Sequence, residues 1–285
     1  MIGQTAKAVT GHPSEPSAAC RQRVDDDARP RQYGMAASAA VAVLLVVAIG
    51  GAGADVGVAP FSAGKTGGVP AEPWHPTKLP KVPRETRYLL VDDAGTTVLR
   101  AQADASMSGL SHSLRIDPKA KPIIEWRWKV SGVLAKSAFG TKAGDDFAAR
   151  VYVLFDYDTA KLPFGTRMKL RLARSMYGEA VPTAGLCYVW DSTAPVGTVA
   201  WSAYTDRLRM IVVTSGAAQA GQWVSVRRNV ADDFRAAFGE DAPAISGVAI
   251  ATDTDNTGET VTAWYGDIGF PGQAMTWKNT GPPLP

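Results

Sequence analysis

Between Ile123 and Val130 apolar and charged residues take turns. Ile124, Trp126, Trp128 and Val130 fall on one side of an extended chain, and Glu125, Arg127 and Lys129 fall on the other. A helix repeats its faces about every 3.6 residues, so a period of two specifies a strand with one wet side. The string FAARVYVLF follows the same rule, with Phe147, Ala149, Val151, Val153 and Phe155 sharing a face. TRYLLVDDAGTTVLRAQA is two strand-like runs around Asp93-Ala94-Gly95, which is hairpin turn chemistry. LSHSLRI, LCYVW, RLRMIVV, QWVSVRR, ISGVAIAT and VTAWYGDIGF raise the total to about ten strands separated by Gly, Pro, Asp and Ser clusters. A single helix is predicted near 230–238, with Asn229 as its N-cap, an apolar stripe of Val230, Phe234, Ala237 and Phe238, and Gly239 as its stop. One short helix among so many strands excludes alternating βαβ units. It predicts an all-β fold, a two-sheet antiparallel jelly-roll sandwich. Trp126, Trp128 and Trp264 lie in alternating strands and are assigned to its core.

The composition suits such a fold, since 46% of the 285 residues are hydrophobic and 20% charged, enough apolar material to bury a core. Lys and Arg number 30 against 27 Asp and Glu, and the resulting +3 is spread without runs. That excludes the concentrated basic face of a nucleic-acid binder. Residues 1–34 are polar and read as a disordered tail or an over-extended start, with Met35 a candidate initiator. From Ala36 to Gly53 there is no charge, and the apolar centre Val41–Ile49 is followed by Ala52-Gly53-Ala54, a small-x-small cleavage pattern. Residues 35–54 therefore read as a signal peptide. The competing membrane anchor ranks second, because the strongly apolar part is shorter than the roughly 20 residues a bilayer requires. The expected location is periplasmic or extracellular, with membrane contact through residues 36–53 only if they stay uncut. Residues 55–83, rich in Gly, Pro, Ala and Lys, read as a linker, residues 84–271 as the sandwich, and residues 272–285 as a tail.

Several motifs fail on their spacing. GVAPFSAGKT, from Gly57 to Thr66, has six residues between its glycines where a phosphate-binding loop has about four, and no strand precedes it. Cys20 precedes the apolar run, and Cys187, inside LCYVW, reads as a small buried hydrophobe. His75 and His112 have no second His or Cys at metal-ligand spacing, and no serine sits in a GxSxG string, so zinc and serine-hydrolase chemistry are poorly supported.

Carboxylates and aromatics carry more. Asp145 and Asp146 precede a strand, while Asp253-Thr254-Asp255-Asn256-Thr257-Gly258 gathers oxygen ligands around a glycine. Its spacing matches the first half of an EF-hand loop, although Trp264 stands where the closing Glu belongs. Two readings stay open, a turn held by Asx hydrogen bonds, or a calcium ion held by Asp253 and Asp255 with ligands from another loop. If the two acidic loops meet, something positive must lie between them, either calcium or an arginine such as Arg150. Trp201 and Tyr204 follow the Pro195-Val196-Gly197 turn and are loop-like.

The strings GDDFAARVYVLF (144–155), YTDRLRMIVVTSG (204–216), RRNVADDFRAAFGE (227–240), ISGVAIATDTDNTG (245–258) and AWYGDIGF (263–270) resemble the bacterial exported family known as domain of unknown function 3047. The resemblance covers roughly residues 85–270, and MKLRLARSMYGEAVPTAGL departs from it like an insertion. It implies an exported sandwich similar to galactose-binding-like jelly rolls, and no established activity. Three functions from different classes remain. The first is non-catalytic binding of a glycan, polyol or other envelope component, at the loop end or on a sheet face, with Asp146, Arg150, Trp201 and Tyr204 as ligand contacts. The second is a polysaccharide-active enzyme drawing two acids from Glu125, Asp146, Asp156 and Asp255. The third is a structural or partner-binding envelope protein.

Overall fold

Period-two segments and the turn residues between them place the strands of the computed structural model, which describes Val58 and residues 60–80, 82–177 and 183–270. Residues 1–54 and the tail expected at 272–285 lie outside the described residues. In chain order the strands are β1 (Trp74–Lys78), β2 (Arg87–Asp93), β3 (Thr96–Asp104), β4 (Ser108–Ile116), β5 (Ile123–Val130), β6 (Ala149–Phe155), β7 (Ala184–Asp191), β8 (Val199–Ser202), β9 (Thr205–Ser215), β10 (Val224–Asn229), β11 (Ile245–Ala251) and β12 (Thr260–Gly269). They make a seven-stranded sheet ordered β1-β4-β11-β6-β7-β9-β8 and a five-stranded sheet ordered β10-β5-β12-β3-β2. The fold is a two-sheet jelly-roll sandwich.

One pairing departs from the antiparallel rule. β7 and β9 run parallel, with Cys187 opposite Met210. The cause is a skipped position: after β7 the chain passes over the neighbouring slot to lay down β8, and β9 returns into that slot as the antiparallel partner of β8.

The sheets meet over one core. β5 turns Ile124, Trp126, Trp128 and Val130 inward as its alternation predicts. Trp126 packs on Tyr188 with ring centroids 5.3 Å apart, and Trp128 lies 6.1 Å from Trp190, so indoles bridge the two sheets. β6 and β7 are buried at every position, because the far face of the seven-stranded sheet is covered too. There Tyr152, Leu154, Cys187, Val189, Leu208, Met210 and Val212 form a second apolar layer with Leu79, Met107 and Phe147. Phe147 thus faces away from Val151 and Val153, contrary to the shared face expected of FAARVYVLF. β6 begins only at Ala149, so the period of two does not extend back to it.

The helix α2 (Val230–Phe238) forms where its cap and stop predict. Asn229 Oδ1 accepts from the Ala231 and Asp232 N–H groups at 3.1 Å each, and Gly239 closes the helix at φ 75°. Phe234, fully buried, packs on Phe155 with centroids 4.6 Å apart. A second helix, α1 (Phe164–Tyr177), occupies the insertion-like stretch. It starts directly after Pro163, where the missing N–H removes no helical bond. No helix among the described residues is long and apolar enough to cross a membrane.

The stretch expected to be a linker needs correction. Val58, Phe61 and Trp74 belong to the main core, Phe61 stacks on Trp74 at 4.9 Å, and β1 pairs along β4 from Trp74 opposite His112 to Lys78 opposite Ser108. Gly and Pro dominate the composition here, yet β1 is an edge strand, where Pro76 sacrifices no ladder bond that the sheet requires. Phe61→Ala and Trp74→Ala are each expected to cost about 3 kcal/mol or more, read as a lower urea midpoint at unchanged slope. A truly unpacked linker would leave the midpoint where it is.

Candidate functional site

Strand register brings the two acidic loops together. β11 pairs antiparallel with β6, Ala251 opposite Arg150, so the loop before β6 and the loop after β11 leave the sheet at the same end. The ladder runs on past the strands, with Thr252 Oγ1 on the Ala148 carbonyl at 3.0 Å and the Asp253 N–H on the Phe147 carbonyl at 3.3 Å. Arg150 and Asp253 then project to the same face, and alanine at 251 leaves room between them. Gly144 lets the loop fold close, since a Cβ there would stand 2.4 Å from the Ala138 nitrogen.

Arg150 is the positive group between the loops, and it is 1% exposed. Its Nε donates to Asp253 Oδ1 at 2.8 Å, its Nη2 to Asp253 Oδ2 and to the Asp145 carbonyl, and its Nη1 stands 3.6 Å from Asp145 Oδ1. The guanidinium also lies over the Phe147 ring at 4.4 Å. Burial works against its charge, but Asp253, Tyr152 and Asp145 beside it outweigh burial and raise its pKa. The fork geometry is that of an ion pair. From the core side the Tyr265 hydroxyl donates to the Ala251 carbonyl at 2.6 Å and accepts from the Arg150 N–H at 3.3 Å.

Asp146, also sealed from solvent, accepts from Asn256 Nδ2 at 3.0 Å, from the Asn256 N–H at 3.3 Å and from the Thr257 N–H at 2.6 Å. Oxygens of Asp146, Asp253 and Asp255 lie within 4.8 Å of one another. Four carboxyl groups therefore lie around one guanidinium, which contacts two of them, Asp253 and Asp145. Burial, then Asp146, pushes Asp255 up to about 6, with Arg150 opposing. Burial likewise pushes Asp145 up to about 6, with Arg150 opposing and Asp146 adding to the rise. Tyr204, on the turn between β8 and β9, is raised to about 12 by burial and by Asp145 and Asp255. Its hydroxyl donates to the Lys142 carbonyl at 3.2 Å.

Of the six residues assigned to a ligand or to calcium, Asp146, Arg150, Asp253 and Asp255 thus gather at one end, and Tyr204 comes near enough for Asp145 and Asp255 to act on its hydroxyl. Asp146 and Arg150 are sealed, so they brace the loops instead of touching a ligand. Asp253 is paired with Arg150, with oxygens of Asp146 and Asp255 beside it. Trp201 is elsewhere: it is a β8 residue, packed 5.3 Å from Phe238 of α2 and 5.0 Å from the Arg209 guanidinium. A paired-carboxylate hydrolase needs two acids reachable from one bond, but Asp145, Asp146 and Asp253 are buried and only Asp255 is half-exposed. Glu125 pairs with Arg227 on the outer sheet face, and Asp156 pairs with Arg115 at the opposite end of β6. His112 is buried edge-on to Trp74, its Nδ1 on the Ser113 carbonyl, and burial pushes the Cys187 thiol up to about 12, as its reading as a small hydrophobe requires.

A second constellation lies on the outward face of the five-stranded sheet. Val261, Ala263 and Tyr265 of β12 turn inward, so Trp264 turns outward and is half-buried, a correction to its assignment to the core. The signal was in its parity: Trp264 is in phase with Thr260 and Thr262. Opposite Trp264 on β5 stands Lys129, whose Nζ is 4.8 Å from the Trp264 ring and 5.0 Å from that of Trp223. Asp93 accepts from Lys129 Nζ at 2.9 Å and from Trp223 Nε1 at 2.5 Å. Burial works to raise the Asp93 carboxyl, but these bonds prevail and hold it low. The Arg127 guanidinium sits 4.5 Å from the Trp223 ring, its side chain lying across Gly266, where a Cβ would come within 2.5 Å of its Cγ. Two indoles, two cations and a carboxylate on one face can stack on a ring and take up hydroxyl groups.

A family model described as "Protein of unknown function (DUF3047)" matches residues 72–269. No curated protein matches the chain. Similar solved structures include a family 12 xyloglucanase from Bacillus licheniformis in complex with ligand, at a TM-score of 0.40 and 7% identity, covering 76% of this chain and 99% of that one. They also include endoglucanase 3 of family GH12 from Trichoderma harzianum, at 0.34 and 7%, covering 70% and 98%. Nothing about the chemistry of this chain follows from likenesses of that degree.

Arg150→Met, which strands buried carboxylates, is expected to cost about 3–5 kcal/mol, whereas millimolar calcium should move the melting temperature by less than about 2 °C. A large calcium-induced rise, abolished by Asp255→Ala, is the opposite result. Titration gives a separate check. Asp145 and Asp255 hold protons to about 6 in the folded chain and to the ordinary 3.8 when unfolded, so the folded state binds more protons between those values. The contribution of these two acids to stability should therefore fall as pH rises from about 4 to about 6, and Asp255→Asn should lose less stability than the parent across that range, measured by urea midpoints.

Proposed function

We propose, for a chain that belongs to the DUF3047 family of proteins of unknown function, a non-catalytic binding sandwich of the bacterial envelope that takes a glycan or similar hydroxyl-rich ligand on its five-stranded sheet. The row Trp223, Lys129, Trp264 carries the reading. Indole faces stack against the C–H faces of a sugar ring, and Asp93, Glu125 and Arg127 beside them offer acceptors and donors for its hydroxyls. Sealing of Asp145, Asp146 and Asp253 supports binding over hydrolysis, since these three carboxyl groups are out of reach of a scissile bond. Export is supported by the charge-free run before Ala54 with its small-x-small site, which would deliver the domain to where such polymers are found.

The test is a glycan array followed by titration calorimetry with the best ligand. Trp223→Ala and Trp264→Ala are each expected to weaken binding about tenfold or more while melting stays within a few degrees of the parent, and Asp255→Asn should bind as the parent does. Loss of binding in Asp255→Asn with both Trp variants intact would move the site to the acidic end. Product release from the bound glycan would replace the reading with an enzyme, and silence across the array with a structural role.

A further inference from the structure

Three of the large hydrophobic side chains most exposed among the described residues belong to α1. Phe164 is 71% exposed, Met168 46% and Leu172 60%. Their spacing of four residues lays them along one stripe, opposite Leu170, which is buried. The charges around that stripe are of one sign. Arg167, Lys169 and Arg171 flank it, Arg174 adds a fourth basic residue to the helix sequence, and no acid occurs between Asp158 and Glu179. Among the described residues no acid pairs with Arg167, Lys169 or Arg171.

A wet helix needs no aromatic, methionine and leucine stripe facing away from the body of its protein, and a stripe that served the core would point the other way. The combination of an outward apolar stripe and a basic border fits one kind of surface, where apolar side chains enter the acyl boundary while Lys and Arg meet phosphate. At 14 residues the helix is about 21 Å long, too short to span a bilayer and long enough to lie on one. We propose that α1 docks the domain on a bilayer carrying anionic headgroups, with Phe164, Met168 and Leu172 inserted and Arg167, Lys169 and Arg171 on the headgroups. Charge complementarity selects this occupant over an apolar protein groove, which would leave the basic border unanswered. The inference is independent of ligand binding on the five-stranded sheet.

The apolar run at residues 36–53 binds lipid by itself if uncut, so the readout must be local to the helix. Hydrogen exchange of the full chain is followed across residues 164–177 with vesicles of phosphatidylglycerol and phosphatidylcholine and with vesicles of phosphatidylcholine alone. Exchange there should slow about tenfold on the anionic vesicles and stay unchanged on the neutral ones. Phe164→Ser with Met168→Ser should abolish the protection. Lys169→Gln with Arg171→Gln should weaken partitioning about 25-fold, a factor of about five for each basic side chain neutralised. Both double variants should melt within about 2 °C of the parent, because the side chains they replace are exposed. Unchanged exchange on anionic vesicles overturns the proposal, as does equal protection by neutral vesicles. Protection by an acidic polypeptide but by neither vesicle would overturn it in favour of a protein partner.

Discussion

A guanidinium with almost no access to water has to be surrounded by charge and by hydrogen-bond acceptors, and Arg150 organises its neighbourhood on that condition. Two acids from different loops answer it, so the start of β6 and the end of β11 are fixed to each other. With those ends fixed, Phe147 is carried over the far face of the seven-stranded sheet, beneath its own stacking contact with the guanidinium, and the second apolar layer closes around it. The ion thus fixes one part of the cover over this face, which Leu79 and Met107 complete from other segments. The five-stranded sheet, with no such lid, keeps its charged and aromatic side chains at the surface.

The same condition explains what is left over. Arg150 satisfies Asp253 and reaches Asp145, backbone donors satisfy Asp146, and Asp255 remains beside Asp146 with nothing positive of its own. A carboxyl in that position holds its proton unusually long. The acidic end is thus a titrating brace, and its one half-exposed member is the part that solvent conditions can reach.

Much of this was legible in the chain. The inward face of β5, the caps of α2 and the burial of Cys187 follow from periodicity and residue type, because each depends on neighbours close in sequence. The meeting of the two acidic loops was foreseeable as a condition, that something positive must separate them, and Arg150 was one of two candidates. What was illegible depends on distant partners. β1 looks like a linker because its strand is licensed by an edge position, not by its own prolines and glycines. Trp201 looks like a loop residue until α2 arrives with Phe238 to cover it. Trp264 was legible by parity and was misplaced by residue type, since a tryptophan in a strand is more often buried than not.

The slot that β9 fills between β7 and β8 sets an order of events during folding. β8 and β9 are neighbours in sequence and close as a hairpin, a local step on the microsecond scale. β9 must nevertheless reach β7 with its other edge free, and β8 has no partner in the sheet except β9. The hairpin therefore joins the sheet as a unit, after β7 is in place. Until then β7, which the finished sheet buries along its whole length, presents an open edge, and the time it spends in that state is when the chain is most exposed to pairing with a second copy of itself.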